Sequence, residues 1–549
     1  MNFWEKASEK STKISYSRLR FILLVLSGVL TGLTLVFPQI GFLEWVTLVL
    51  VGIVLLVRAS DSSVKLRSLY LDGLVFFFSF FATCFHWFVY VYPLDFIDGM
   101  TKGSALVVIL AGWLGLSLLQ ALLSSFSFAV IGAILRGVLC RKFAFVKPFV
   151  IAGIWTVFEW GQTIGWWGVP WGRLPIGQTE YLWGIQNASL LGSYFVTFVL
   201  VSVNLLIAMA LLYPLKIKFG VLCAIALIVF QYGSGAILWY SNDVCAGEKI
   251  KVACIQGNIS SAEKWDSDSD LKTLNNYQKL TEEAAEQGAE LVIWPETAFP
   301  YNISDGNGVI YSAFCTALAK KCNVYILVGT FVSDENGNDL NSLVCYTPDG
   351  KVLDEIYSKR RLVPFGEYVP MKKVIQTLIP PLAELVLSEG EIYPGEGTHI
   401  MELENGTKIG GLICFDSIYE ELTLSSVRDG AELICLSTND SWFVDSRALY
   451  MHNAQAQIRA VESGRYVARA ANTGISTVIN SRGEVLDSLP PLDDGVLVSD
   501  VYATDRNTLW RVVGNGFVYA LIAGEISILA FDWICRIIKK IRTKKSSTS

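Results

Sequence analysis

Lys408-Ile-Gly-Gly-Leu-Ile-Cys-Phe-Asp416 is an apolar run that ends on a thiol and a carboxylate. A short, uncharged run of this kind reads as a buried strand. Its carboxyl end, where Cys414 falls, is where α/β folds place their sites. Two upstream segments carry matching chemistry. Leu291-Val-Ile-Trp-Pro-Glu-Thr297 delivers Glu296 just past a second buried run, and Tyr357-Ser-Lys-Arg-Arg-Leu-Val-Pro-Phe-Gly-Glu367 carries Lys359 and Glu367. A thiol with an amine and two carboxylates supplies a nucleophile, a base and a cation for a developing oxyanion.

Outward from these segments, residues 246–505 alternate short β-like runs with helical stretches. Strands are expected near 250–256, 290–294, 323–331, 341–347, 409–414, 432–437, 466–471 and 475–480, with helices near 267–287, 308–320, 417–428 and 447–463. This alternation predicts an α/β domain.

The remainder of the chain is of another kind. Of its 549 residues 52% are hydrophobic and only 17% charged, too apolar for an ordinary soluble protein. The excess is concentrated in residues 21–240 and 514–537. At about 20 apolar residues per crossing, eight transmembrane spans are expected, near 21–39, 41–57, 69–92, 104–135, 147–164, 187–212, 219–240 and 514–537. The long stretch 104–135 fits either one tilted helix or a tight pair. The first run lacks a small-residue cleavage site and is followed at once by another span, so it reads as a retained helix.

Basic residues set the expected orientation. With residues 1–20 as a cytoplasmic tail, Lys6, Lys10, Lys13, Arg18 and Arg20 lie inside, and Arg58, Lys65 and Arg67 follow after two crossings. A single crossing by 104–135 also puts Arg136, Arg141, Lys142 and Lys147 inside, then Lys216 and Lys218, and finally the basic tail 538–549 with Lys539, Lys540, Arg542, Lys544 and Lys545. The intervening loops hold only Lys102 and Arg173, in keeping with the positive-inside rule. Residues 246–505 are then expected on the extracytoplasmic face, after a seven-helix membrane domain at 21–240 and before an eighth helix at 514–537. The net charge of −6, divided among these regions, says little about partners.

Eleven cysteines show no C-x-x-C pair and no metal-ligand spacing, so neither a disulfide framework nor a metal site is expected. Cys84, Cys223, Cys254 and Cys435 read as small buried hydrophobes. Of the three histidines, His86 lies in an apolar span and His399 in a turn-rich segment. His452 is the only candidate partner for the thiol, and a solvent-facing or packing role suits it better. The scarcity of histidine moves the role of base to Glu296.

The ordered set Trp-Pro-Glu-Thr, Lys359 with Leu362-Val-Pro-Phe-Gly-Glu-Tyr-Val-Pro370, and a strand-end cysteine resembles the Glu-Lys-Cys pattern of the nitrilase, or carbon-nitrogen hydrolase, superfamily. The extended second motif, Gln256-Gly-Asn258, Lys264-Trp-Asp266, Trp155-Thr-Val-Phe-Glu159, Val169-Pro-Trp171, Asn439-Asp-Ser-Trp-Phe443 and the flanking apolar helices look like the apolipoprotein N-acyltransferase family within it.

That resemblance implies an αββα sandwich on the outer face of a bacterial plasma membrane and a two-step acyl transfer. A phospholipid, usually phosphatidylethanolamine, would acylate Cys414 as a thioester. The α-amino group of a diacylglyceryl-modified lipoprotein cysteine would then take the chain as an amide. By the same resemblance Glu296 is the base, Lys359 the oxyanion stabiliser, Cys414 the nucleophile and Glu367 a supporting carboxylate. Trp265, Trp442 and Phe415 fall near the substrate pocket. No cofactor, metal or nucleic-acid partner is implied, and a monomer is expected. The alternative is a membrane-anchored amidase in which water resolves the acyl-enzyme.

Cys414-Phe-Asp416 departs from the commoner Cys-Tyr-Glu. The shorter Asp416 carboxylate must make an altered or water-bridged contact. Three further features are open at this level. Val374–Leu387 is apolar and broken by Pro380-Pro381, fitting an acyl-gripping lid or lipid-dipping arm around Leu385 and Leu387. Glu159, inside a span, shapes a polar cavity or makes a helix-packing hydrogen bond, and Asp72 needs a partner. Trp166, Trp167 and Trp171 read as interfacial anchors.

Overall fold

The computed structural model describes residues 3–94, 100–213, 217–260, 264, 269–378 and 392–546. Trp265 and the distal part of the 374–387 arm, with Leu385 and Leu387, lie outside the described residues. The chain divides into two compact units, residues 1–86 with 110–237 and 515–549, and residues 87–109 with 238–514.

Among the described residues, seven helices are long and apolar enough to cross a membrane: Tyr16–Val36, Pro38–Arg58, Leu66–Cys84, Lys102–Leu135, Ser193–Leu212, Lys218–Ser241 and Gly516–Ile541. The 104–135 stretch is one run, interrupted only at Ser125. The expected span at 147–164 is instead the 15-residue helix Lys147–Gly161. At 1.5 Å per residue it reaches about 22 Å, short of an apolar core of about 30 Å.

Small residues let these helices approach. Gly28 and Gly32 form a G-x-x-x-G pair against Leu66–Cys84, where an added Cβ on Gly28 would meet the Phe76 carbonyl oxygen at 2.5 Å. Inside the bundle Phe76, Phe77, Phe128 and Trp155 pack ring against ring. Two of its buried carboxylates are paired. Asp72 meets Arg58 at 2.6 Å and Arg20 at 3.3 Å, and Glu159 accepts from the Thr197 hydroxyl at 2.5 Å and the Leu174 amide at 3.3 Å. Trp171 departs from an anchor's role: it is 3% exposed, whereas Trp167 is open.

The second unit is a sandwich. Its strands are β1 (Glu248–Gln256), β2 (Leu291–Ile293), β3 (Tyr325–Ser333), β4 (Asp339–Tyr346), β5 (Tyr357–Ser358), β6 (Met401–Glu402), β7 (Lys408–Ile413), β8 (Leu433–Thr438), β9 (Tyr466–Ala471), β10 (Thr477–Ile479), β11 (Val485–Ser488) and β12 (Gly495–Ala503). They form two six-stranded sheets, ordered β12-β1-β2-β3-β4-β5 and β11-β10-β9-β8-β7-β6.

Side-chain alternation explains the layering. Ile250, Val252 and Cys254 of β1, Leu343 and Cys345 of β4, Leu433 and Cys435 of β8, and Tyr466 and Ala468 of β9 meet between the sheets. The intervening Ala253, Ile255, Val344 and Tyr346 face the other way, into a core shared with Tyr277 and Leu280 of helix Asp270–Glu286 and Cys315 and Leu318 of helix Gly306–Cys322. Helices Glu420–Arg428 and Ala448–Ser463 pack on the second sheet, giving the αββα order. Cys254, Cys345 and Cys435 are buried and free, and Cys315 and Cys322 are also unbridged.

Candidate active site

Four residues of the candidate site sit just past strands. Glu296 follows β2, Lys359 follows β5, Cys414 follows β7 and Asn439 follows β8. In the central parallel pairs β1–β2 and β7–β8 the strands share direction, so their carboxyl ends open on one side of each sheet. The sandwich thereby brings together residues more than a hundred positions apart.

Lys359 lies between two carboxylates. Its Nζ donates to Glu296 Oε1 and to Glu367 Oε1, both at 2.8 Å, and the amine is 2% exposed. Asn341 Nδ2 also donates to Glu296 Oε1 at 2.8 Å and reaches Glu367 Oε1 at 3.4 Å. The second Glu296 oxygen accepts from the Asn439 amide at 2.8 Å, and the second Glu367 oxygen from the Val363 amide at 2.8 Å. Every carboxylate oxygen is therefore held by a donor.

Burial disfavours charge on both sides of this cluster, and the partners overcome it. Burial would lower Lys359, but Glu296 and Glu367 drive it well above the ordinary range of a lysine. Burial would raise Glu296, but the Lys359 ammonium, with help from the Asn341 hydrogen bond, holds its carboxyl below the ordinary value. The resting site thus contains a fixed cation and an ionised base.

Cys414 begins a one-turn 3-10 segment, Cys414–Ile418, at a left-handed φ of 47°. A non-glycine residue in that region carries about 1–3 kcal/mol of strain, and the surroundings pin it. Its carbonyl accepts from Ser417 Oγ at 2.8 Å and lies 3.2 Å from His452 Nε2. His452 Nδ1 is 2.9 Å from Asp440 Oδ1, and Arg469 donates to Asp440 Oδ2 at 2.6 Å. His452 therefore braces the nucleophile's backbone, consistent with a packing histidine. Arg469 and His452 outweigh the effect of burial and keep Asp440 well below the ordinary carboxylate range.

An ammonium nearby is expected to favour a thiolate, but the environment reverses that. Burial pushes the Cys414 thiol far up, Glu296 adds to the rise, and Lys359 only partly offsets them. At rest Cys414 is a neutral thiol, and the ionised Glu296 is among the charges acting on it. A thiol in that state loses its proton as it bonds to carbon, the condition under which general-base catalysis matters.

Asp416 makes direct contacts. Its oxygens accept from Tyr357 Oη at 2.9 Å, the Arg361 amide at 2.8 Å and the Ile413 amide at 3.2 Å. One short carboxylate ties the segment around Lys359 to the turn that carries Cys414. Burial lifts its pKa to about 6, from an ordinary 3.8.

Because the folded value is raised, Asp416 adds stability that is complete below about pH 4 and lost as pH rises through about 6. That rise corresponds to about 3 kcal/mol. Asp416→Asn cannot titrate, so the melting temperature of the full chain in detergent should gain on wild type between pH 4 and 6 and then run parallel. A constant gap across that window contradicts the assignment.

Phe415 packs edge-on to Tyr419 at 5.4 Å and is half-buried, as is Trp442 on the turn Ser441–Phe443. Phe443, beside Trp442, packs on His452 and Trp87. Four contributors have no role in the sequence reading. Asn341 sits inside an apolar strand, Asp440 and Arg469 form a buried pair, and Lys264 is 5% exposed with its Nζ on the Glu296 carbonyl at 3.0 Å and the Thr297 hydroxyl at 2.6 Å. Only the Lys264-Trp-Asp266 and Asn439–Phe443 segments signalled any of them.

Cys414, Asp440 and His452 each place one metal-ligating atom within 4.8 Å of the others. Asp440 is already neutralised by Arg469 and bridged to His452. These donors fit a hydrogen-bonded brace better than a metal centre.

A two-sheet sandwich flanked by helices, with Glu, Lys and Cys at its strand ends, defines a carbon-nitrogen hydrolase domain, and residues 251–508 match that family. Residues 27–206 match the apolipoprotein N-acyltransferase N-terminal domain. An apolipoprotein N-acyltransferase from Geobacter metallireducens is 30% identical over 526 residues, 93% of this chain and 95% of its own. One from Gloeobacter violaceus is 30% identical over 491 residues, 89% of each. Yeast Nit3, described as a member of the nitrilase superfamily, aligns with 50% of this chain and 96% of its own at 19% identity and a TM-score of 0.37. The chain belongs to the apolipoprotein N-acyltransferase family.

Proposed function

We propose that this protein moves an acyl chain from a phospholipid to the amino-terminal cysteine of a diacylglyceryl-modified lipoprotein, through a thioester on Cys414. The observation that carries the reading is the buried cluster itself. Lys359 donates to Glu296 at 2.8 Å, both are buried, and both act electrostatically on the Cys414 thiol. Among the described residues the chain also carries seven helices long and apolar enough to cross a membrane, where both proposed substrates reside.

In the first step Glu296 takes the Cys414 proton as sulfur attacks the ester carbonyl. Lys359 stabilises the oxyanion, and Glu296 returns the proton to the leaving alkoxide. In the second step the acceptor amine attacks the thioester, and the amide forms as sulfur leaves. Glu367 and Asn341 hold Lys359 and Glu296 in register. Phosphatidylethanolamine is the proposed donor. With Lys147–Gly161 counted as a crossing, the distribution of basic residues supports an extracytoplasmic catalytic domain with both termini in the cytoplasm.

The test is incubation of the purified full chain with a phospholipid bearing a labelled acyl chain. A hydroxylamine-labile protein adduct is expected, discharged as an amide on adding a diacylglyceryl-cysteine peptide. Absence of an adduct overturns the proposal, and discharge to free fatty acid alone makes the protein a hydrolase.

A further inference from the structure

The site holds two buried lysines in opposite circumstances. Lys359 is bracketed by two carboxylates at 2.8 Å. Among the described residues, Lys264 Nζ has only neutral acceptors, the Glu296 carbonyl and the Thr297 hydroxyl. A neutral amine has two N–H donors and one lone pair. The two contacts use both donors and leave the lone pair to accept a proton.

The two half-reactions make different demands on such a group. Acylation balances internally: the Cys414 S–H breaks, sulfur bonds to the acyl carbon, the ester C–O breaks, and the same proton leaves on the alcohol. Aminolysis does not balance. An α-amino group, with an ordinary pKa of about 8, arrives at neutral pH largely as an ammonium. Forming the amide N–C bond and breaking the S–C bond takes two protons from that nitrogen, and only one is needed to restore the thiol.

Resting on the acyltransferase reading, we infer that Lys264 is the base that receives the surplus proton, its neutral amine becoming an ammonium as the acceptor nitrogen is unmasked. Glu296 carries the other proton to sulfur. Lys264 then passes its proton to solvent before the next cycle. Burial depresses Lys264 to about 7, with Glu296 and Cys414 opposing the fall, so it is poised to exchange a proton near neutrality. Among the described residues, those two are the titratable groups that act on it. Lys359 and Glu367 join Glu296 through hydrogen bonds at 2.8 Å, and Asp440 acts on Cys414.

The test separates the half-reactions in single turnover on the full chain, with labelled phospholipid and then a diacylglyceryl-cysteine peptide. In Lys264→Met at pH 7, transfer to the amine should fall about 100-fold, the ordinary worth of a general base, while acylation stays within about tenfold. At pH 9, where the peptide amine is already neutral, the transfer deficit should shrink below about tenfold. Lys264→Arg keeps the length and donors but stays charged, and should show the same selectivity. Equal loss in both steps at both pH values, or no loss, overturns the inference. A wild type that forms no adduct overturns the function on which it rests.

Discussion

Cys414→Ala should form no hydroxylamine-labile adduct and lose at least about 10⁴-fold in turnover, because no other group can carry the acyl chain between two substrates. The buried thiols of this unit offer no substitute. Cys254, Cys345 and Cys435 are sealed in the sandwich core, and Cys315 is buried on helix Gly306–Cys322. Labelling, single-turnover kinetics and a melting curve on one preparation check this. The backbone separates chemistry from folding in a second way. Alanine meets the same steric cost as cysteine at a φ of 47°, whereas glycine does not. Cys414→Gly should therefore be equally inactive yet more stable than Cys414→Ala by about 1 kcal/mol. Residual acyl transfer in either variant removes Cys414 from the proposed role.

Cys414 and Glu296 could be picked out from sequence because each ends or follows a short run whose hydrophobicity announces a strand. Placing reactive groups at strand ends is a local rule. What escaped it is non-local. Asn341 occupies a strand position that alternation assigns to packing, and its contacts with Glu296 and Glu367 exist only because β4 lies two strands from β2 in the sheet. Asp440, His452 and Arg469 come from a loop, a helix and a strand, so no spacing links them. The two-residue β5 and β6 are too short for any period to register, and β12 alternates too weakly to suggest that it pairs with β1 along nine residues.

The departure at Asp416 is instructive for the same reason. From sequence, a shorter carboxylate after the nucleophile means lost reach. In the folded protein the Arg361 amide and the Tyr357 hydroxyl both come within hydrogen-bond distance of it, so the lost methylene is met by direct contacts. The membrane helices were legible from length and apolarity alone. The exception, Lys147–Gly161, ends at the glycine that precedes a Gly/Pro-broken loop.

Lys359→Met should cost about 10²–10³-fold in turnover, the usual effect of removing an oxyanion donor, and about 3–5 kcal/mol of stability at pH 7. The stability loss has a sign that depends on pH. In the wild type Glu296 is depressed, so its contribution is present above its unfolded value and lost as pH falls through the folded one. Without the ammonium, two buried carboxylates share Asn341 and desolvation dominates, so the Glu296 value rises. Its contribution then becomes one that is present at low pH and lost as pH rises. The gap between wild type and variant should accordingly widen from acid to neutral pH, measured by thermal melting of the full chain. Glu296→Gln added to Lys359→Met removes one of the repelling charges and should recover part of the stability but none of the activity. A pH-independent gap, or additive losses in the double variant, means that Lys359 does not hold the pair as an ion cluster.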